Sequence, residues 1–327
     1  MKILVMLYCA DTNQLIVSDI LKSEFDKLGH ICVVKDLASY KFENHGNKEL
    51  AFAGGLYEDL RFGNYDAIVF LHSYAARIFS MIKSIKKINV KSFIIQIDYS
   101  LHFSYFDVFV DKYFVPNEIL ADEYISHGIP ASQIIVSGIP VPNLNFSDAN
   151  LKHNEIFCFV LADGYDNSDV LAITQKAEDI LDFDVSFAVL SFDSFQYSIY
   201  SRFSSFDENF VVYSHDDTES FTYLPKPDVI ISNSQNANIY SAMKCKVPII
   251  LFDTCSHKEA DSFSYLSQLD CLYVCESFDD VFNALNGRFF ERHLGKLLSQ
   301  KCEMHSKYDA VQIINENIIN YNNKFDN

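Results

Sequence analysis

Tryptophan is absent from the 327 residues, proline occurs only seven times and glycine ten. A chain so poor in glycine and proline is neither collagen-like nor low-complexity. No run reaches the 18 or so uncharged apolar residues that a membrane-spanning helix requires. Positive charge is scarce too, with 26 Lys and Arg against 44 Asp and Glu for a net of −18. That balance argues against a nucleic-acid partner, because neutralising phosphates takes clustered cations. The eight cysteines form no Cys-x-x-Cys pair and sit mostly in apolar runs such as VMLYC and IFCFV. Reduced, buried thiols in a cytoplasmic protein are expected, and the opening MKILVMLYCAD is too short for a secretory leader.

What the chain does contain is apolar mass. Half of it (49%) is hydrophobic, with 29 Phe and 19 Tyr, and its length suits two domains. The charge is uneven. Residues 1–150 carry 13 cations against 17 anions, a net of −4, whereas residues 151–327 carry 13 against 27, a net of −14.

The run from Lys2 to Tyr8 reads as a strand buried on both faces. After the polar loop Asp11, Thr12, Asn13, Gln14, apolar residues recur at helical spacing from Leu15 to Leu28, and Gly29 ends the helix. Strands follow at Ile31–Val34, Asp66–Leu71, Ser92–Ile97 and Lys112–Val115, with a helix running to Ile85 and another capped by Asn117 and closed by Gly128. The segment Ser137–Asn143 breaks regular structure, and a linker is expected between there and His153. A second alternating set comprises strands Ile156–Leu161, Val185–Leu190, Phe210–Tyr213, Asp228–Ile231, Pro248–Phe252 and Cys271–Cys275. Helices are expected near 168–181, 237–245, 259–267 and 278–286. From His293 to Tyr321 runs a long helical pattern with room for a break, able to return to the first domain. The expected fold is α/β, with two facing, doubly wound, Rossmann-like domains at 1–148 and 149–327 and ligands at the carboxyl ends of the strands.

Residues Asp111–Pro142, DKYFVPNEILADEYISHGIPASQIIVSGIPVP, together with Asp98-Tyr99-Ser100-Leu101-His102, resemble the processive diacylglycerol glucosyltransferases and monogalactosyldiacylglycerol synthases. Residues Asp228–Leu266 can be laid on that family's donor-binding segment without a gap. The resemblance implies the GT-B architecture. It also implies transfer of a hexose from a UDP-sugar to a lipid or lipid-linked acceptor, with inversion and without metal or other cofactor. By the same resemblance, Asp98 and His102 would serve the acceptor. Gly164, Ser232, Asn233, Ser234, Gln235, Asn236, Lys258 and Glu259 would hold the donor. Asp11, Asn13 and Gln14 would form the first loop.

Against the family pattern several positions differ. The glycine-rich first loop is replaced by Asp11, Thr12, Asn13 and Gln14. The Gly-Gly pair falls on Gln235 and Asn236, the ribose-binding Glu on Ser241, and Gly-Gln-Glu on His257-Lys258-Glu259. A second glycine loop shrinks to Ala162-Asp163-Gly164. Glycines let backbone N–H groups approach phosphate oxygens. Asp163 adds repulsion for an anion, which Lys244, Lys246 and Lys258 could offset.

Two readings therefore stay open: a transferase, or a catalytically degenerate paralogue kept as a binding or partner subunit. Nucleotide-sugar hydrolysis or epimerisation is a third. Locally, Asp98 reads as half of an acid/base pair or as a loop-ordering cap, and Ser232–Asn236 as a sugar-phosphate cradle or as ordinary capping. Lys83, Lys86, Lys87 and Lys91 read as a peripheral contact with the inner face of a membrane or as solvated partners of a helix end. Asp182-Phe183-Asp184 mimics a metal motif but opens an apolar strand. Cys271 and Cys275 lack the second ligand pair that zinc needs.

Overall fold

The computed structural model describes residues 1–40, 48–100, 103–106, 108–142, 144–147, 155–181, 183–191, 193–214, 224–236, 238–254, 261–288 and 293–323. His102, His257, Lys258, Glu259 and Asp182, all singled out above, lie outside them.

Two compact units result, one formed by Met1–Val141 with the chain from Tyr308 on, the other by Pro142–Lys307. The first contains β1 (Lys2–Leu7), α1 (Thr12–Lys27), β2 (Ile31–Asp36), α2 (Lys48–Gly63), β3 (Ala67–Phe70), α3 (Ser73–Ile85), β4 (Lys91–Ile95), β5 (Lys112–Val115), α4 (Glu118–Ser126) and β6 (Ile134–Val136). Its sheet is parallel throughout in the order β2-β1-β3-β4-β5-β6. The apolar runs behave as a parallel sheet demands: Ile3–Leu7, Ala67–Phe70 and Phe93–Ile95 are almost wholly out of solvent. Asp11 caps α1 by accepting from Gln14 N at 2.8 Å, and Asn117 caps α4 through Leu120 N at 3.0 Å. Gly29 (φ +78°) and Gly128 (φ +94°) take the left-handed turns that end those helices.

The second unit contains β7 (Glu155–Leu161), α5 (Asn167–Ile180), β8 (Asp184–Ser191), α6 (Ser194–Ser204), β9 (Phe210–Ser214), β10 (Val229–Ser232), α7 (Ile239–Lys244), β11 (Ile249–Phe252), α8 (Asp261–Ser267), β12 (Tyr273–Cys275), α9 (Phe278–Asn286) and α10 (His293–His305). Its six parallel strands run β12-β11-β10-β7-β8-β9. Cys271 and Leu272 stay outside the last strand, because Asp270 turns the chain with φ 58°. The tail breaks after His305, and α11 (Ala310–Asn323) packs on α1 in the first unit. There Tyr321 stands edge-on to Phe93 at 5.7 Å, and the Tyr308 hydroxyl meets Glu118.

Of the described cysteines only Cys9 is exposed, and none is in a disulfide. Burial pushes the Cys32 thiol up to about 11 and the Cys245 and Cys275 thiols to about 12. These side chains are packing groups and not nucleophiles. No described helix is long and apolar enough to cross a membrane.

Candidate functional site

In an open parallel sheet, ligands collect where neighbouring strands send their connections to opposite faces. In the second unit that point lies between β7 and β10, so the loops Ala162–Asp166 and Asn233–Asn238 frame it. The sequence places polar side chains there, and the structure brings them together. Asn233 Nδ2 donates to the Asp163 carbonyl at 2.6 Å, and Asn236 Nδ2 donates to the same oxygen at 3.2 Å. Asn233 Oδ1 accepts from Gln235 N at 2.9 Å, while Asn236 Oδ1 accepts from Asn238 N at 2.9 Å. Ser232 Oγ donates to the Asn233 carbonyl at 3.1 Å. Ser234 is clamped by Asp253, whose Oδ1 accepts from Ser234 N at 2.7 Å and whose Oδ2 accepts from Ser234 Oγ.

Gly164, at φ +89°, passes so close to Asn233 that a Cβ there would lie 2.7 Å from Oδ1. Tyr165 continues the stitching by donating to the Phe252 carbonyl at 2.6 Å and accepting from Gln196 Nε2 at 2.9 Å. Ser232, Asn233, Ser234, Asn236 and Asp253 are buried, whereas the Gln235 side chain is exposed. The Asn238 amide is fully buried and, among the described residues, meets no hydrogen-bond partner at either atom. An unmet buried amide costs about 1–3 kcal/mol and calls for an explanation.

Helix α7 starts at Ile239, close to the expected 237, and Asn233 and Asn236 accept from the Gln235 and Asn238 backbone N–H groups ahead of it. One expectation about this loop needs correction. Lys244 and Lys246 do not flank the loop. Lys244 ends α7 and Lys246 lies just past it, at the opposite end of the strands, Lys244 lying 5.0 Å over the Tyr240 ring and Lys246 bonding Glu303 at 2.9 Å. Ser241 is buried and donates to the Pro142 carbonyl. The local field is acidic: Tyr200 is raised by burial and then by the charges of Asp163, Asp169, Asp166 and Asp193.

In the first unit, Asp98 follows β4 and orders its own loop, accepting from Ser100 N at 3.2 Å and from Gln96 Nε2 at 3.5 Å. It remains half-buried. Its charge reaches Tyr105 and Tyr124, whose phenols burial has already pushed up. Asp11 is spent as a cap. Gln14 is buried and grips Tyr8, Oε1 accepting from Tyr8 N at 3.1 Å and Nε2 donating to Tyr8 O at 3.3 Å. Asn13 lies half-buried in the first turn of α1.

Residues not anticipated include Asp253, Asn238, Tyr165 and Gln196, and in the first unit Tyr8, Asp36, Phe52, His72 and Tyr74. Asp253 had a signal, since it is the first polar residue after the apolar strand Ile249–Phe252.

Residues 33–141 match the monogalactosyldiacylglycerol (MGDG) synthase family. No curated protein sequence matches the chain significantly. MurG of Acinetobacter baumannii superposes with a TM-score of 0.66 at 12% identity, over 98% of this chain and 100% of the other. MnaA of S. aureus, solved with UDP, gives 0.65 at 10% identity, over 100% and 98%. The spinosyn rhamnosyltransferase SpnG, complexed with thymidine diphosphate, gives 0.66 at 8%, over 97% and 99%. The fold is therefore GT-B, two Rossmann-like domains, and its first unit carries a glycosyltransferase family segment resembling MGDG synthase.

Proposed function

We propose that the protein is a UDP-sugar-dependent hexosyltransferase, inverting and metal-independent, acting on a lipid or lipid-linked acceptor. The observation that carries the reading is the match of residues 33–141 to the MGDG synthase family on a GT-B scaffold. The loops at the switch point of the second unit support it, because neighbours of this fold are solved with UDP or thymidine diphosphate. Gln235, Lys258 and Glu259 would hold the donor while Asn233, Asn236 and Gly164 keep the loop in shape. Asp98, with His102, would take the acceptor proton as the glycosidic bond forms and UDP leaves.

The experiment is calorimetric titration of the whole chain with UDP, UDP-glucose and UDP-galactose. Micromolar binding is expected, weakened about tenfold in Gln235→Ala and Glu259→Ala. Unchanged affinity in both variants would remove the donor site. Asp98→Asn should lower turnover by about 10²-fold or more with nucleotide affinity intact; loss of folding would mark Asp98 as structural.

A second reading has its own support. The amides of Asn233 and Asn236 are spent on the protein, and Asp163, Asp166, Asp169 and Asp193 crowd the same edge. Failure of every nucleotide to bind would favour a degenerate paralogue acting as a partner subunit.

Access to a lipid would use the far edge of the first unit. Lys83, Lys86, Lys87 and Lys91 accompany Ile85 and Phe109, which are 77% and 69% exposed. Cations beside exposed apolar side chains suit an anionic bilayer. Lys86→Glu with Lys87→Glu should abolish co-sedimentation with phosphatidylglycerol vesicles; undiminished binding would place the contact elsewhere.

A further inference from the structure

Three of the 13 cations of residues 151–327 stand around one cavity of the second unit. The cavity holds about 620 Å³ and lies at the amino ends of β10 and β11, opposite the ends that carry Asn233–Asn238. The sequence prepares it twice: Lys226-Pro227-Asp228 leads into β10 and Lys246-Val247-Pro248 into β11, and the two strands are paired neighbours. Helix α10 closes the third side with Lys296, Ser299, Gln300 and Glu303, positions that share one helical face.

Most lysines of this protein that carry a printed ion pair sit beside a carboxylate on the open surface, as Lys22, Lys27 and Lys301 do. The cavity is different. Lys246 takes Glu303 at 2.9 Å, and Asp228 is committed to Phe157 N at 2.9 Å. Among the described residues the ammonium groups of Lys226 and Lys296 then meet no carboxylate. The Lys226 charge is felt nearby: burial raises the Cys245 thiol, and Lys226 works against that rise. Like charges gathered without a counter-charge repel, and an anion between them relieves the repulsion. The rest of a half with a net charge of −14 turns anions away, so this is the place in it where one would be held.

The frame is set before any ligand arrives. Pro227 and Pro248 fix the backbone at the two strand entries, and Lys246 stands at φ 56°, turning the chain from α7 into β11. A rigid frame lowers the ordering cost of binding. The volume exceeds what a bare phosphate fills and falls in the range of small-molecule sites. We infer that the amino edge of the second sheet binds a phosphorylated small molecule, its phosphate or diphosphate held by Lys226 and Lys296 and its body lying against Pro227, Val247 and Pro248. The inference does not depend on the transferase reading. The four residues of β10, about 13 Å of strand, separate this cavity from the loop that begins at Asn233.

The test is calorimetric titration of the whole chain at low ionic strength with inorganic diphosphate and with glucose 6-phosphate. Saturable binding is expected and should weaken as salt is added. Affinity should fall about a hundredfold in Lys226→Ala with Lys296→Ala, from two charge-assisted contacts at about tenfold each. Both side chains are exposed, so the double variant keeps its fold. Lys301→Ala, which removes the same charge from α10 outside the cavity, should leave affinity within about twofold. Tighter binding of diphosphate would identify a diphosphate group; tighter binding of glucose 6-phosphate would identify a monoester with a body. Equal weakening by Lys301→Ala would reduce the effect to diffuse charge and overturn the inference. So would undiminished binding in the double variant, or loss of diphosphate binding in Gln235→Ala, which would move the anion to the other end of the strands. UDP titration of the double variant keeps the claims apart: failure of UDP to bind the parent protein counts against the transferase reading alone, and failure of both phosphates to bind counts against this cavity alone.

Discussion

Gly164→Ala should destabilise the protein by about 2–4 kcal/mol, a large effect for one added methyl group. At φ +89° an L-residue pays for the left-handed backbone, and the new Cβ meets Asn233 at 2.7 Å from Oδ1 and 2.9 Å from Nδ2. Asn233 is 1% exposed and bonded through both ends of its amide, to the Asp163 carbonyl and from Gln235 N. It can move only by breaking those bonds, each worth about 1 kcal/mol. Urea unfolding followed by circular dichroism would show the midpoint fall by roughly 1 M. Gly164→Ala combined with Asn233→Ala should cost less than the sum of the two, because the second change removes the obstacle the first runs into. Strict additivity would mean that the glycine does not serve the close approach.

That pair shows which part of the site the sequence could reveal. Gly164 and Asn233 are 69 positions apart, yet each could be picked out as the end of an apolar strand in a βα rhythm, where side chains converge. The strands were legible because a sheet covered on both faces must be apolar throughout: Lys112–Val115 matches residue for residue, and most others agree within two residues. Helices α2 and α6 were not legible. In α2, KELAFAGGLYEDLRFG, two adjacent glycines each cost about 1 kcal/mol of helix propensity, and packing of Leu56 and Leu60 outweighs it. In α6, SFQYSIYSRFS, serine and aromatic residues prefer other states, and the helix forms because Asp193 caps it at 2.7 Å and Tyr200 is wholly buried. Strand β6 is three half-buried residues, too short to give an alternating pattern. The use made of each polar side chain was the least legible. Nothing in the order of residues says that Asn236 points at the Asp163 carbonyl, since that contact exists only once β7 and β10 are paired.

Asp253→Ala should rank beside the glycine change, at about 2–4 kcal/mol. Asp253 is fully buried, and its two oxygens hold the N–H and hydroxyl of Ser234 across adjacent strand ends. Removing the carboxylate strands two buried donors, each at about 1–3 kcal/mol. Asp253→Asn should cost less, since one acceptor oxygen survives, and Ser234→Ala should cost little more on top of Asp253→Ala because both act through one contact. Urea midpoints for the three single variants and the double measure this; a full additional loss in the double would dissolve the clamp. The same variants bear on function. The clamp fixes the loop from which Gln235 projects, and a binding loop contributes affinity only insofar as it is held in place before the ligand arrives. In the transferase reading, folded Asp253→Asn loses UDP affinity although Asp253 itself touches no ligand. In the partner-subunit reading its midpoint drops with no change in any nucleotide titration. The polar network between β7, β10 and β11 would then be scaffolding inherited from a donor site and retained because two buried donors still need an acceptor.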